Sequence, residues 1–303
     1  MRNAFIEELA NAATVDEKIA LVVGDLGYGV VEPFSRQFPK RFFNAGVAEQ
    51  NMMGLSAGLA SEGFHVFVYS IANFPTFRCA EQIRNDIDYH NLPVTIVTVG
   101  GGLAYGNLGY SHHAIQDYAL MRTMPNMMIA APGDPLEVRA CMRFLLDHPQ
   151  PSYLRLGKAG EINIHTKLPD VYPGRWMEHY RKKNNTSVII TTGATLDIGS
   201  RYIQECGNGI YDLYSVPLWG MREKSSQIEM LTKYSEIITI EDHLEDAGFG
   251  SWILETSNLL KNSELKIRIC GLTSEVCGMV GKQKVLNELG GLDLQKFLIK
   301  NAK

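Results

Sequence analysis

Glu49 opens a helical pattern otherwise filled with small and apolar residues, FFNAGVAEQNMMGLSAGLASEG from Phe42 to Gly63. Met52, Met53, Leu55, Ala57, Leu59 and Ala60 supply its apolar positions, and Gly54, Ser56, Ala57 and Gly58 would let another backbone come close. A carboxylate in that setting is either a partner for the positive end of the helix dipole or a buried acid tuned by desolvation. The pattern alone leaves both open. Further on, Ile71, Phe74 and Phe77 recur at intervals of three in YSIANFPTFRCAEQIRND. They form either a helix stripe entering the core or, because Pro75 interrupts them just past a strand end, an aromatic wall of a pocket. Gly100, Gly101, Gly102, Gly106 and Gly109 then punctuate a loop that closes on Tyr110-Ser111-His112-His113. Such a loop turns tightly or lets a ligand approach its backbone. It is not the G-x-G-x-x-G fingerprint, so a nicotinamide cofactor is not supported. His112 and His113 could be metal ligands, acid/base groups or a polar cap. Adjacent side chains do not readily face one ion and no H-E-x-x-H spacing occurs, so no metal is expected on this chain's own residues.

Alternating elements must position these residues. β-rich runs at Ile19–Gly24, His65–Tyr69, Val94–Val99, Met127–Ala130 and Ser152–Leu156 alternate with helical patterns at Ala48–Ser61, Thr76–Tyr89, Ala114–Arg122 and Pro135–Leu146. A second series has strands at Ser187–Thr192, Gly209–Val216, Glu236–Glu241 and Lys266–Cys270. Its helices are expected at Asp197–Glu205, Gln227–Tyr234, Ser251–Leu260, Lys282–Leu289 and Asp293–Ile299. Strand followed by helix, repeated, predicts parallel sheets with helices on both faces. Asp134-Pro135 marks one helix start as an N-cap followed by proline. Glu161–Asn185, with Pro169, Pro173, Gly174 and a polar end, reads as an interdomain linker. The fold class is therefore α/β with two doubly wound domains, 1–165 and 186–303, joined by 166–185. Ligands of such sheets gather at the carboxyl ends of strands, which directs attention to Asp25–Phe34, Ser70–Phe77, Gly100–His113 and Leu156–Gly160.

The bulk numbers agree with an ordinary globular chain. Of its 303 residues 45% are hydrophobic and 20% charged, and the net charge is −4, enough length for two cores. No basic run suggests nucleic acid or an anionic membrane. No apolar stretch approaches the roughly 20 residues that span a bilayer, and MRNAFIEELANAA reads as a short amphipathic helix, not a signal peptide. Five scattered cysteines (79, 141, 206, 270, 277) without a C-x-x-C pair fit buried thiols in a cytoplasmic protein.

Taken in order, these segments resemble the transketolase family over nearly the whole chain. GVAEQNMMG resembles the motif that opens the helix bearing the family's catalytic glutamate. Ser70–Arg84 is similar to its aromatic pocket for an aminopyrimidine ring, and GNLGYSHHAIQD to its Gly-Pro-Thr-His-Gln segment. MRTMPNMMIAAPGDPLEV and PSYLRLGK resemble the closing part of a pyrimidine-binding domain, and Glu241-Asp242-His243 with AGFG resembles a stretch of the smaller C-terminal domain. The resemblance implies thiamine diphosphate as cofactor, a proton of which must leave the thiazolium C2. It implies Glu49 as the carboxylate beside the pyrimidine N1′, Phe74 stacked on the pyrimidine, and Ile71 and Phe77 in neighbouring positions. Asp25 would stand near the cofactor of the opposite subunit. His112 would be the substrate-facing proton carrier, with His113 and Lys158 also at the substrate end.

The family holds diphosphate and Mg²⁺ through a GDG…N segment that this sequence lacks. The resemblance therefore implies a partner chain that carries GDG…N and holds the diphosphate and Mg²⁺, in an α₂β₂ assembly. Its activity would be transfer of a two-carbon ketol unit between sugars. Leu108 stands where transketolases have a hydroxyl-binding acid, Gly100 and Gly101 where relatives have a phosphate-binding His or Arg, and Lys158 where they have an Arg. These departures, with the room expected beside the glycines, point to a bulkier or nucleotide-linked sugar. Two other readings share the domain order: the beta subunit of a 2-oxo acid dehydrogenase, and a non-catalytic partner subunit.

Overall fold

The computed structural model describes residues 1–205, 209–260 and 264–300. Twelve strands build two sheets. The first comprises β1 (Ile19–Val23), β2 (Phe42–Asn44), β3 (His65–Ile71), β4 (Val94–Val99), β5 (Met128–Ala130) and β6 (Ser152–Leu156). The second comprises β7 (Met177–Tyr180), β8 (Ser187–Thr191), β9 (Asp212–Ser215), β11 (Glu236–Leu244) and β12 (Lys266–Leu272), while β10 (Leu218–Gly220) returns to the first. Strand order is β10-β5-β6-β4-β3-β1-β2 in the first sheet and β12-β11-β8-β9-β7 in the second. All pairings are parallel except β10 with β5 and β7 with β9.

Why these runs become central parallel strands is visible in their burial. IALVV of β1 and VTIVTV of β4 are buried at every position, as expected of strands covered on both faces. Successive side chains alternate between two cores: Val22, Val66, Val68 and Ile96 enter one, and Leu21, Val23, Phe67 and Val97 the other. The helix Arg2–Val15 covers the second of these through Phe5 and Leu9. Asp134 caps the helix Pro135–Asp147 as its sequence predicts, accepting from the Glu137 N–H at 2.7 Å.

Three features differ from the sequence reading. The expected linker carries β7, and β10 crosses back to the edge of the first sheet, so the two sheets share chain on both sides of their junction. The helix expected over Thr76–Tyr89 is broken into Phe74–Phe77, Ala80–Gln82 and a π-helical turn at Ile83–Asp88. The break falls at Arg78-Cys79, where the Cys79 N–H bonds back only to Thr76 at 3.1 Å. The helix expected at Ala114–Arg122 shortens to Asp117–Met121 because Ala114 forms a two-way backbone bridge with Gly102. Cys79, Cys141, Cys270 and Cys277 are free thiols, and Cys206 lies outside the described residues. Among the described residues no helix is long and apolar enough to cross a membrane.

Candidate active site

Glu49 is the first residue of the helix Glu49–Ser61 and is only 5% exposed. The turn from β2 brings it there, with Gly46 at φ +70°, a backbone that a Cβ disfavours. Met52 and Met53 anchor the helix, both fully buried. Its Gly54 and Gly58 do not meet another part of this chain, contrary to expectation: both are exposed, and a Cβ at either would touch nothing within 4 Å.

The carboxylate has one ionic partner, which sequence reasoning missed. Arg78 Nη1 donates to Glu49 Oε1 at 2.8 Å, and the Arg78 side chain is 51% exposed. The same guanidinium lies over the Phe74 ring, 4.4 Å from its centroid. Phe74 in turn meets the His112 ring edge-on at 5.0 Å. Glu49, Arg78, Phe74 and His112 therefore form one continuous constellation at the carboxyl ends of parallel strands. Ser111 Oγ and His112 Nδ1 are 3.0 Å apart. Partial burial, and after it the charge of Arg78, hold the His112 imidazole below its ordinary value, so it is neutral at pH 7.

The other expected residues divide. Ile71 ends β3 half-buried beside this constellation, and Phe77 stands 48% exposed at its rim. Asp25 follows β1 at φ +56°. Its N–H donates to Asn44 Oδ1 at 3.0 Å, while its Oδ1 accepts from Asn44 Nδ2 at 2.9 Å and from the Tyr28 hydroxyl at 3.2 Å. It is thus fixed beside the Glu49 turn without touching Glu49. His113 does not join His112 on the surface. It is buried, neither ring nitrogen makes a hydrogen bond, and burial lowers its basicity; a substrate contact would require it to move. Lys158 is exposed, lies 4.8 Å from the Tyr105 ring centroid, and lines a different cavity of 520 Å³ at the domain junction. That cavity includes none of Glu49, Phe74 and His112.

The glycine loop also corrects an expectation. A Cβ at Gly100 would fall 2.1 Å from the Tyr105 ring, at Gly101 2.5 Å from the Arg155 guanidinium, and at Gly102 2.4 Å from the Asp242 carboxylate. The room these glycines create is filled by the chain's own side chains, not held open for a ligand. Arg155 is the centre of that packing. Its Nε donates to Asp117 Oδ2 at 2.6 Å, its Nη2 to the Ala114 carbonyl at 2.8 Å, and its Nη1 to Asp242 Oδ1. Arg155, Asp117 and Asp242 are buried, so this ion triad ties β6 of the first sheet to β11 of the second.

The Glu241-Asp242-His243 run is structural in the same way. Glu241 accepts the Phe249 and Gly250 N–H groups at 2.6 and 2.8 Å, capping the helix Phe249–Ser257. Burial pushes its carboxyl up to about 8 against those bonds. His243 stacks on Tyr118 and is held by the Leu244 carbonyl and the Ala119 N–H, and burial lowers its imidazole to about 4.

Residues 1–160 match the family described as "Transketolase, pyrimidine binding domain". The chain is 34% identical over 292 residues to one of the subunits of an apulose-4-phosphate transketolase of Phocaeicola vulgatus, covering 90% of this chain and 88% of that protein. It is 33% identical over 301 residues to "Putative transketolase C-terminal section" of Methanocaldococcus jannaschii, covering 97% and 92%. A solved structure described as "Split gene transketolase, inactive beta4 tetramer" superposes with a TM-score of 0.83 at 27% identity, over 98% of this chain and 95% of that one. The chain belongs to the transketolase pyrimidine-binding family, and membership implies thiamine diphosphate as cofactor.

Proposed function

We propose that this member of the transketolase family is the pyrimidine-binding subunit of a split enzyme that transfers a two-carbon ketol unit between sugars. The carrying observation is the buried Glu49 carboxylate, engaged by a planar cation that lies on an aromatic ring. A guanidinium and a protonated aminopyrimidine share planarity, positive charge and N–H donors, so the surfaces that hold Arg78 fit the pyrimidine end of the cofactor. Thiamine diphosphate, when bound, supplies a nucleophilic carbon at its thiazolium C2. Arg78 vacates the Phe74 face, toward the solvent that already reaches half of it. Glu49 then holds a proton at the pyrimidine N1′, from a position shielded from water. Phe74 gives the ring its stacking face, with Ile71 and Phe77 beside it. His112, neutral and with Nδ1 set by Ser111, exchanges protons with a sugar oxygen through Nε2.

The chain lacks a GDG…N segment, which supports a partner subunit that supplies it and holds the diphosphate and Mg²⁺, in an α₂β₂ complex. Tyr28 is 76% exposed and Val47 73% exposed, and with Phe77, Gly54 and Gly58 they leave an uncovered apolar rim beside Glu49 that such a partner would cover. Asp25, fixed by Asn44 and Tyr28, is set to face the second subunit. The structural relative described as an inactive β4 tetramer supports the same dependence on a partner. The filled glycine loop removes the room that favoured a bulkier sugar, and the name of the Phocaeicola relative favours a phosphorylated sugar. Co-purification with a GDG-bearing subunit should restore ketol transfer that the chain alone lacks. Robust transfer by this polypeptide alone would refute the split assignment.

A further inference from the structure

Away from Glu49, where the helix Pro135–Asp147 of the first domain meets β7 and β9 of the second sheet, three ligand-type side chains converge. Glu137 comes from the helix, His165 from the segment after β6, and His179 from β7. One donor atom of each lies within 4.8 Å of the others. Glu137 Oε1 is 3.6 Å from His179 Nε2 and 3.8 Å from His165 Nε2. Donors around a tetrahedral Zn²⁺, each about 2.0–2.1 Å from the ion, stand roughly 3.3 Å apart. Both edges to Glu137 therefore close on an ion with shifts of a few tenths of an ångström.

Two further observations point to a cation. Asp134 and Glu137 are both fully buried, and among the described residues their only ion-pair partners are these two imidazoles. Buried carboxylates without a cation are costly. The outer contacts are also those that orient ligands. Asp134 Oδ2 stands 3.1 Å from His165 Nδ1 and accepts the His165 N–H at 2.7 Å, which turns Nε2 toward Glu137. A carboxylate behind a ligating histidine is the usual support of a bound metal. Glu137 Oε2 accepts the Gly133 N–H at 2.6 Å, leaving Oε1 for the site. Ser215 Oγ touches both Glu137 Oε1 and His179 Nε2, the latter at 2.9 Å, and so stands where a fourth ligand belongs.

We propose that Glu137, His165 and His179 form a structural site for a borderline divalent metal, Zn²⁺ foremost, that clamps the first domain to the second sheet. Two imidazoles and one carboxylate match Zn²⁺ and disfavour Mg²⁺, which takes oxygen ligands, so the site is separate from the cofactor's metal.

The test uses the full chain, purified without a histidine tag and stripped with a chelator. Zn²⁺ is titrated against a chromophoric competitor, and thermal melts are recorded with and without Zn²⁺. One Zn²⁺ per chain and a raised Tm are expected. Asp134→Asn should weaken binding about 10–100-fold, and His179→Ala at least as much. Co²⁺ should give four-coordinate ligand-field bands without thiolate charge transfer, which separates this site from the cysteines. His165→Gln retains a polar group of similar size, so it keeps the test decisive if the alanine variant fails to fold. Absence of stoichiometric Zn²⁺, or equal uptake by wild type and His165→Gln, overturns the proposal and leaves protons on the imidazoles as the charge balance.

Discussion

Replacing Arg78 with alanine separates an occupant of the pyrimidine site from a ligand of the cofactor. Its contact with Glu49 is a charge-assisted hydrogen bond, worth about 1.5–3 kcal/mol when shielded. Half of the Arg78 side chain faces solvent, which reduces that to about 1 kcal/mol. The contact with Phe74 adds about 0.5–1 kcal/mol for an exposed cation–π pair. Together about 1.5–2 kcal/mol holds the guanidinium where the pyrimidine is to lie. If Arg78 must leave before cofactor enters, that energy is present in the free protein and absent from the bound one. Arg78→Ala then lowers the stability of the free protein by about 1.5–2 kcal/mol and tightens cofactor binding by the same amount. At about 1.4 kcal/mol per tenfold, the gain is roughly 10–30-fold in Kd. Calorimetric titration of the assembled enzyme with thiamine diphosphate reads the affinity, and thermal melting of the free chain should show a drop of roughly 3 °C. Weaker binding in Arg78→Ala than in wild type would refute the displacement argument and make Arg78 a cofactor ligand.

Two further outcomes concern the frame of the site. Arg155→Met should destabilise the chain by about 3–5 kcal/mol, because it leaves Asp117 and Asp242 buried without their cation; denaturant titration measures it, and a loss under about 1 kcal/mol would deny the triad its role. His65 is held to about 4 by burial, below the roughly 6.5 of the unfolded chain, so its stabilising effect is complete above that unfolded value and is lost as pH falls toward 4. Between about pH 7 and 4.5 the wild type should lose about 2 kcal/mol more stability than His65→Gln, and equal losses would contradict the assignment.

Much of this was legible in the sequence, and the failures have physical causes. β1, β4 and β6 are runs buried on both faces, so their composition marks them. β2 and β10 have three residues each and owe their existence to partners, β10 pairing with β5 far away in sequence. Arg78 stands four residues after Phe74, a spacing that puts neighbours together on a helix, but the broken helix there is what turns it onto Glu49. Nothing local distinguishes Arg155 in PSYLRLGK from an exposed strand arginine; its partners come from other segments. The glycines at 100–102 announced a close approach correctly, and only tertiary contact shows that Tyr105, Arg155 and Asp242 make it.

The central claim is that Glu49 is the carboxylate that activates the cofactor. Exchange of the thiazolium C2 proton, followed by quenched-flow NMR on the enzyme assembled with its GDG-bearing partner, tests it directly. Glu49→Gln keeps the size of the side chain and its hydrogen bond to Arg78 but cannot hold the proton at N1′. Exchange should slow by roughly 10²–10⁴-fold while cofactor remains bound. An unchanged exchange rate in the loaded variant would remove Glu49 from that role.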